Sequence, residues 1–269
     1  MDDTGERHLE HWIYGASPEK GYGMKAESFG LNGPLYMRYL GNHFTPVRVE
    51  KTANGGTLID ARMIHPAPAN DEVLLSILGR GMADEYNRPT IANHTVVIPA
   101  APLREGRLTF SDVEAVVTEF DRRVPKASGK IEPLVIRLRS PEQVEDPIGS
   151  GIRRLITKAA VDTLASRFLA DRMGRTLVLC RGSTNQYRNE LLYRLIELLQ
   201  SGGEIPLFPA ISDAPTLSAM NHFHLAISSR GVRADATWTL LDASIDQVAL
   251  PPIRGKSPMY SRIAEAFAE

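Results

Sequence analysis

Residues 8–29 constrain the fold more than any other part of the chain, because they spell out a β-hairpin. Leu9, His11 and Ile13 alternate with His8, Glu10, Trp12 and Tyr14, which is the period of a strand with one buried face. Gly15-Ala16-Ser17-Pro18 turns the chain, and Gly21-Tyr22-Gly23-Met24 opens an antiparallel return arm that ends near Phe29. A hairpin at the start commits this half of the chain to an antiparallel sheet. Further strands are expected at 47–51 and 58–64, around the turn-forming Asn54-Gly55-Gly56. Another is expected at 91–98, rich in β-branched residues and closed by Pro99. Residues 71–78 read as a short helix, capped by Asn70 or Asp71 and ended by Gly79. Ser111-Asp112-Val113-Glu114 reads as a capping box, and Val113, Val116, Val117 and Phe120 form the apolar stripe of the helix it opens.

After Ala127-Ser128-Gly129-Lys130, the best linker candidate, strands begin to alternate with helices. A strand is expected from 134 to 138, a long helix from 151 to about 172, a strand at 175–180 and a helix at 185–200, which together make a βαβα unit. A strand at 204–208 follows, then 221–228 and 237–241 as a closing antiparallel pair around Gly231. A short helix at 261–268 ends a Pro-rich tail. The expected fold class is therefore α+β. A mostly antiparallel N-terminal lobe with short helices (1–128) packs on an α/β lobe (129–250), and a tail follows (251–269).

With 43% apolar and 23% charged residues, the chain is not globally disordered. No apolar run approaches the roughly 20 residues that cross a bilayer, and Met1-Asp2-Asp3-Thr4-Gly5-Glu6 lacks the basic and apolar regions of a signal peptide. The expected location is cytoplasmic, with no membrane partner. The single cysteine, Cys180, sits in the apolar run Leu177-Val178-Leu179, which marks a buried structural thiol.

Three kinds of constellation bear on chemistry. Tyr86, Arg88, Asn93 and His94 form the densest polar cluster near a strand, where an imidazole beside a guanidinium suits acid–base or ligand chemistry. Strand alternation also puts His94 in line with Ala92, Val96 and Ile98, the setting of a hydrogen-bonded core histidine. The second kind is a glycine- or serine-rich turn entering a helix, which offers free amides and a positive dipole to an anion. Ser150-Gly151 with Arg153 and Arg154 is one such turn, and Ser183 with Arg188 is the other. Neither is a Walker or dinucleotide fingerprint. The third is the stretch 152–195, whose 9 basic and 3 acidic side chains give a local charge of 9 − 3 = +6. Its aromatics, Phe168, Tyr187 and Tyr193, are few for a nucleic-acid stacking platform, so nucleic acid ranks as a minor reading. His222 and His224 share a strand face without a carboxylate or cysteine at ligand spacing, and no metal or cofactor is called for.

The opening Tyr14-Gly15, Gly21-Tyr22 and Ala26-Glu27-Ser28, with Tyr86, Arg88, His94 and Val96-Val97-Ile98-Pro99 downstream, resembles the N-terminal domain of bacterial GTPase-associated proteins. Gly174-Arg175, the helix over 191–199 and His222-Phe223-His224-Leu225 extend the likeness to about residues 8–230. The resemblance implies a non-enzymatic adaptor that engages a GTPase or other NTPase partner in a prokaryotic conflict or defence system. Tyr14, Tyr22, Tyr86, Arg88 and His94 are the candidate interaction residues. The alternative reading is a binder of phosphate-bearing small ligands or nucleotides, or an enzyme acting on them, through Ser150, Gly151, Arg153, Arg154, Ser183 and Arg188.

Overall fold

A computed structural model of the 269-residue chain describes residues 5–17, 21–30, 60–67, 71–80, 91–144, 152–170, 174–201, 207–213, 223–229, 238–243 and 258–267. It is an α+β protein of two compact units. Unit 1 holds Met1–Ala100 and Phe110–Leu138; unit 2 holds Ala101–Thr109 and Arg139–Glu269. The expected linker at 127–130 lies inside unit 1, where its Gly129 and Lys130 enter a strand.

In unit 1 the strands are β1 (Glu6–Leu9), β2 (His11–Ser17), β3 (Gly21–Ser28), β4 (Ala61–Pro66), β5 (Glu72–Arg80), β6 (Ile91–Pro99), β7 (Gly129–Ile131) and β8 (Leu134–Arg137). Six of them line up as β4-β5-β6-β2-β3-β7, antiparallel except for the parallel β3–β7 pair, while β1 and β8 form a separate antiparallel ribbon. Helix α1 (Ala100–Arg104) follows β6, and α2 (Phe110–Arg123) packs on β8 while burying Phe110, Val113, Val117 and Phe120.

The opening hairpin forms as β2 and β3, with Trp12 opposite Glu27 and Ala16 opposite Tyr22. It differs from expectation in being buried on both faces. Trp12 packs with Leu74, Val97, Tyr14 and Met24 on one side, and His11 lies against Phe120 of α2 on the other. Residues 72–80 form a strand and not a helix. Val73, Leu74, Leu75 and Leu78 are all buried, and a strand buried on both faces carries a continuous apolar run that also fits a helical period. Asp71, read as a helix cap, adopts a left-handed backbone (φ 65°), whereas an N-cap is extended. Helix α2 starts at Phe110, so Thr109 occupies the cap position, and the proposed capping serine Ser111 lies exposed within the first turn. Glu114 is drawn instead to Arg62 of β4, whose Nε donates to it at 3.0 Å.

In unit 2, α3 (Lys158–Ala170), β9 (Arg175–Leu179), α4 (Asn185–Ser201), β10 (Ala210–Ile211), β11 (Leu225–Ser228), β12 (Trp238–Asp242) and α5 (Pro258–Ala266) build a sheet of order β12-β9-β11-β10. The long helix expected from 151 begins only at Lys158. Ile152 closes a single turn with Leu155 and Ile156, and the Thr157 hydroxyl then caps a new start by accepting the Ala160 amide at 3.3 Å. β11 and β12 are not an antiparallel pair: each runs parallel to β9, on opposite sides of it. Every residue of β11 is buried, as in a parallel strand covered on both faces. The strand expected at 204–208 is absent from 207–208; β10 at Ala210–Ile211 runs parallel to β11. The expected strand at 47–51 and the turns at Asn54-Gly55-Gly56 and Gly231 lie outside the described residues.

Candidate functional site

The sheet order β6-β2-β3 brings the two halves of the sequence signature together. Ile13 pairs with His94 and Tyr14 with Asn93, so His11, two residues before Ile13, stands beside His94 on the face that α2 covers. His11 Nδ1 lies 2.7 Å from His94 Nε2, His94 Nδ1 lies 2.9 Å from Asp121 Oδ1, and His11 Nε2 lies 2.8 Å from the Glu132 carbonyl. The rings stack with centroids 5.0 Å apart, and Phe120 meets both edge-on. Four segments that are distant in sequence thus meet through one chain of hydrogen bonds.

A carbonyl only accepts, so His11 Nε2 carries its hydrogen toward Glu132 and Nδ1 is left as the acceptor. With His11 neutral, His94 Nε2–H donates to it, and His94 Nδ1 lies against Asp121. Burial holds the His11 ring neutral by pushing its pKa down from 6.5 to about 4. The Glu132 carbonyl pulls against that shift, His94 adds to it, and Asp121 weakly opposes it. Ser28 completes the arrangement: its hydroxyl accepts the His11 amide at 2.6 Å and donates to the His11 carbonyl at 2.9 Å. One buried side chain thus does the work of a neighbouring strand next to the irregularity between Ile13 and Tyr14.

Chemically, the cluster resembles a proton relay but is closed at its inner end. His11 is fully buried, and both of its ring nitrogens are bound to protein atoms, so no nitrogen is left to meet a substrate. Tyr14 is half-buried against the Trp12 cluster. Tyr86, Arg88 and the Tyr22 side chain lie outside the described residues.

Of the anion-turn candidates, Arg153, Ser183 and Arg188 are engaged within unit 2. Arg153 Nε donates to the Ala266 carbonyl at 2.7 Å and so caps the end of α5, while Arg154 is exposed. Arg188 is buried and donates to the Ser183 carbonyl at 2.7 Å and to Asn185, with Asp213 at 3.5 Å as its counter-charge. The Ser183 hydroxyl donates to the Cys180 carbonyl at 2.6 Å. Ser150, Gly151 and His222 lie outside the described residues. Among the described residues, no group of three or more His, Cys, Asp or Glu side chains is placed to hold a metal ion. Burial pushes the Cys180 thiol up to about 12, against the opposing pull of the Arg188 guanidinium.

Sequence reading missed Asp121 and gave His11 no role beyond its place in the strand alternation. No local signal carries these contacts, because His11 and His94 are 83 positions apart and the pairing needs the sheet order.

The sequence matches no known protein-family model, and no curated protein matches it. Among solved structures, the longin domain of Lst4 from K. lactis superposes with a TM-score of 0.26 at 12% identity, covering 44% of this chain and 69% of that one. A superposition at that score defines no shared fold.

Proposed function

We propose that this chain is a non-enzymatic interaction module that engages a GTPase or other NTPase partner, in the setting of a prokaryotic conflict system. The observation that carries the non-enzymatic part is the closure of the His11–His94–Asp121 chain, the cluster best equipped for acid–base work. Its inner ring is fully buried and has both nitrogens bound. A general base needs a nitrogen within hydrogen-bond reach of the proton it abstracts, and His11 has none to offer. The partner class rests on the resemblance to GTPase-associated proteins at Tyr14-Gly15, Gly21-Tyr22 and His94.

One observation favours a second reading, a phosphate-bearing ligand. β11 and β12 flank β9 on opposite sides, so the Gly182–Thr184 turn into α4 sits where the strand order reverses, the usual ligand position in an open parallel sheet. Two measurements on the full chain separate the readings. The first is co-purification from the native host, with any recovered NTPase remade as pure protein and titrated calorimetrically. The second is a thermal-shift panel of nucleotides, phosphorylated metabolites and inorganic phosphate. The adaptor reading expects saturable binding to the NTPase and an unchanged Tm across the panel, because only a ligand that binds the native state raises Tm. A Tm rise that Arg154→Ala or Arg188→Ala abolishes would overturn it in favour of the ligand reading.

A further inference from the structure

We infer that the His11–His94–Asp121 chain is an acid-opened latch, which holds β2 and β6 against the last turn of α2 and lets go when one more proton enters. The hydrogens and acceptors of unit 1 alone carry it, whatever the identity of any partner. In the closed state the two contacts of the His11 ring each hold one hydrogen: His11 Nε2–H to the Glu132 carbonyl and His94 Nε2–H to His11 Nδ1. On the His11 ring, the nitrogen left to take a further proton is Nδ1, the acceptor of the 2.7 Å contact. Once it is protonated, two N–H groups face each other with no acceptor between them, and a cationic ring lies stacked on His94 beside Phe120. That contact cannot persist.

The groups facing the His11 ring are His94 from β6, Phe120 and Asp121 from α2, and the carbonyl of Glu132. The half-exposed Asp121 is the end of the chain that meets solvent. With the folded-state pKa near 4 and the unfolded value near 6.5, the unfolded chain binds more protons between those limits. Stability from this group is therefore full above about pH 6.5 and is lost as pH falls toward 4.

Urea unfolding of the full chain at pH 7 and pH 5, followed through fluorescence of the buried Trp12 and Trp238, tests the latch. His11→Gln keeps a side-chain acceptor and donor but cannot titrate. The folded-to-unfolded ratio of the wild type is expected to fall about 20-fold more than that of His11→Gln between the two pH values. Equal losses would overturn the inference. If His11→Gln does not fold, imidazole ¹⁵N resonances of the wild type decide. A neutral His11 with its hydrogen on Nε2 at pH 5 supports the latch, and a folded-state ring that titrates near 6.5 refutes it.

Discussion

Replacing Ser28 with alanine isolates what one buried hydroxyl contributes to the β2–β3 pairing. Ser28 is fully buried, and its oxygen serves both the His11 amide, at 2.6 Å, and the His11 carbonyl, at 2.9 Å. Ser28→Ala removes both partners at once and leaves a buried donor and a buried acceptor behind. An orphaned buried polar group costs about 1–3 kcal/mol, and the void left by one hydroxyl is too small to admit a bridging water. Since the two groups share one partner and the strand can shift slightly, a total of about 2–4 kcal/mol is expected. In a domain of this size that lowers Tm by roughly 5–15 °C. Urea denaturation by circular dichroism, checked for an unchanged m-value, measures the loss. Exposed Ser111→Ala is the matched control, expected within about 0.5 kcal/mol of wild type. If Ser28→Ala is as mild as Ser111→Ala, the hydroxyl does not carry the His11 backbone bonds and the bracing role assigned to it is wrong.

Three further outcomes follow from the same geometry. Thr109→Ala should cost about 1 kcal/mol or more while Ser111→Ala costs little, because Thr109 holds the cap position of α2; thermal denaturation of the pair separates the two assignments. Native Cys180 should resist iodoacetamide at pH 8, since burial pushes its pKa to about 12 and leaves about one thiolate in ten thousand; labelling at the rate of a free thiol would contradict that environment. Arg153→Ala should destabilise α5 by about 0.5–1 kcal/mol, seen as faster proteolysis near Ala266, because it removes the donor to the Ala266 carbonyl.

What the sequence made legible was local and periodic. The hairpin of β2 and β3, the β-branched strand β6 and the helices α2 and α4 each carry their own period and turn residues, and each forms close to where expected. The failures come where periodicity loses its meaning. Glu72–Arg80 is apolar on both faces, so the alternation that separates strand from helix is erased, and only the left-handed Asp71 shows that no helix starts there. The direction of β11 and β12 was equally hidden. Parallel neighbours on either side of β9 differ from an antiparallel pair only in the path of the connections, and no local pattern records that path.

The candidate site divides along the same line. His94 reads correctly as a histidine on an apolar face, since that needs only the alternation within β6. What decides its chemistry is non-local: the ring it donates to belongs to β2, and the carboxylate it meets ends a helix 27 residues further on. A histidine beside a carboxylate alone is the start of a catalytic dyad, with one nitrogen oriented and the other free. Here the free nitrogen is consumed by a second histidine, and that histidine by the Glu132 carbonyl, so the chain of donors ends on a backbone acceptor. The same closure that removes a base from catalysis gives unit 1 a point, His11 Nδ1, at which one proton can break the chain.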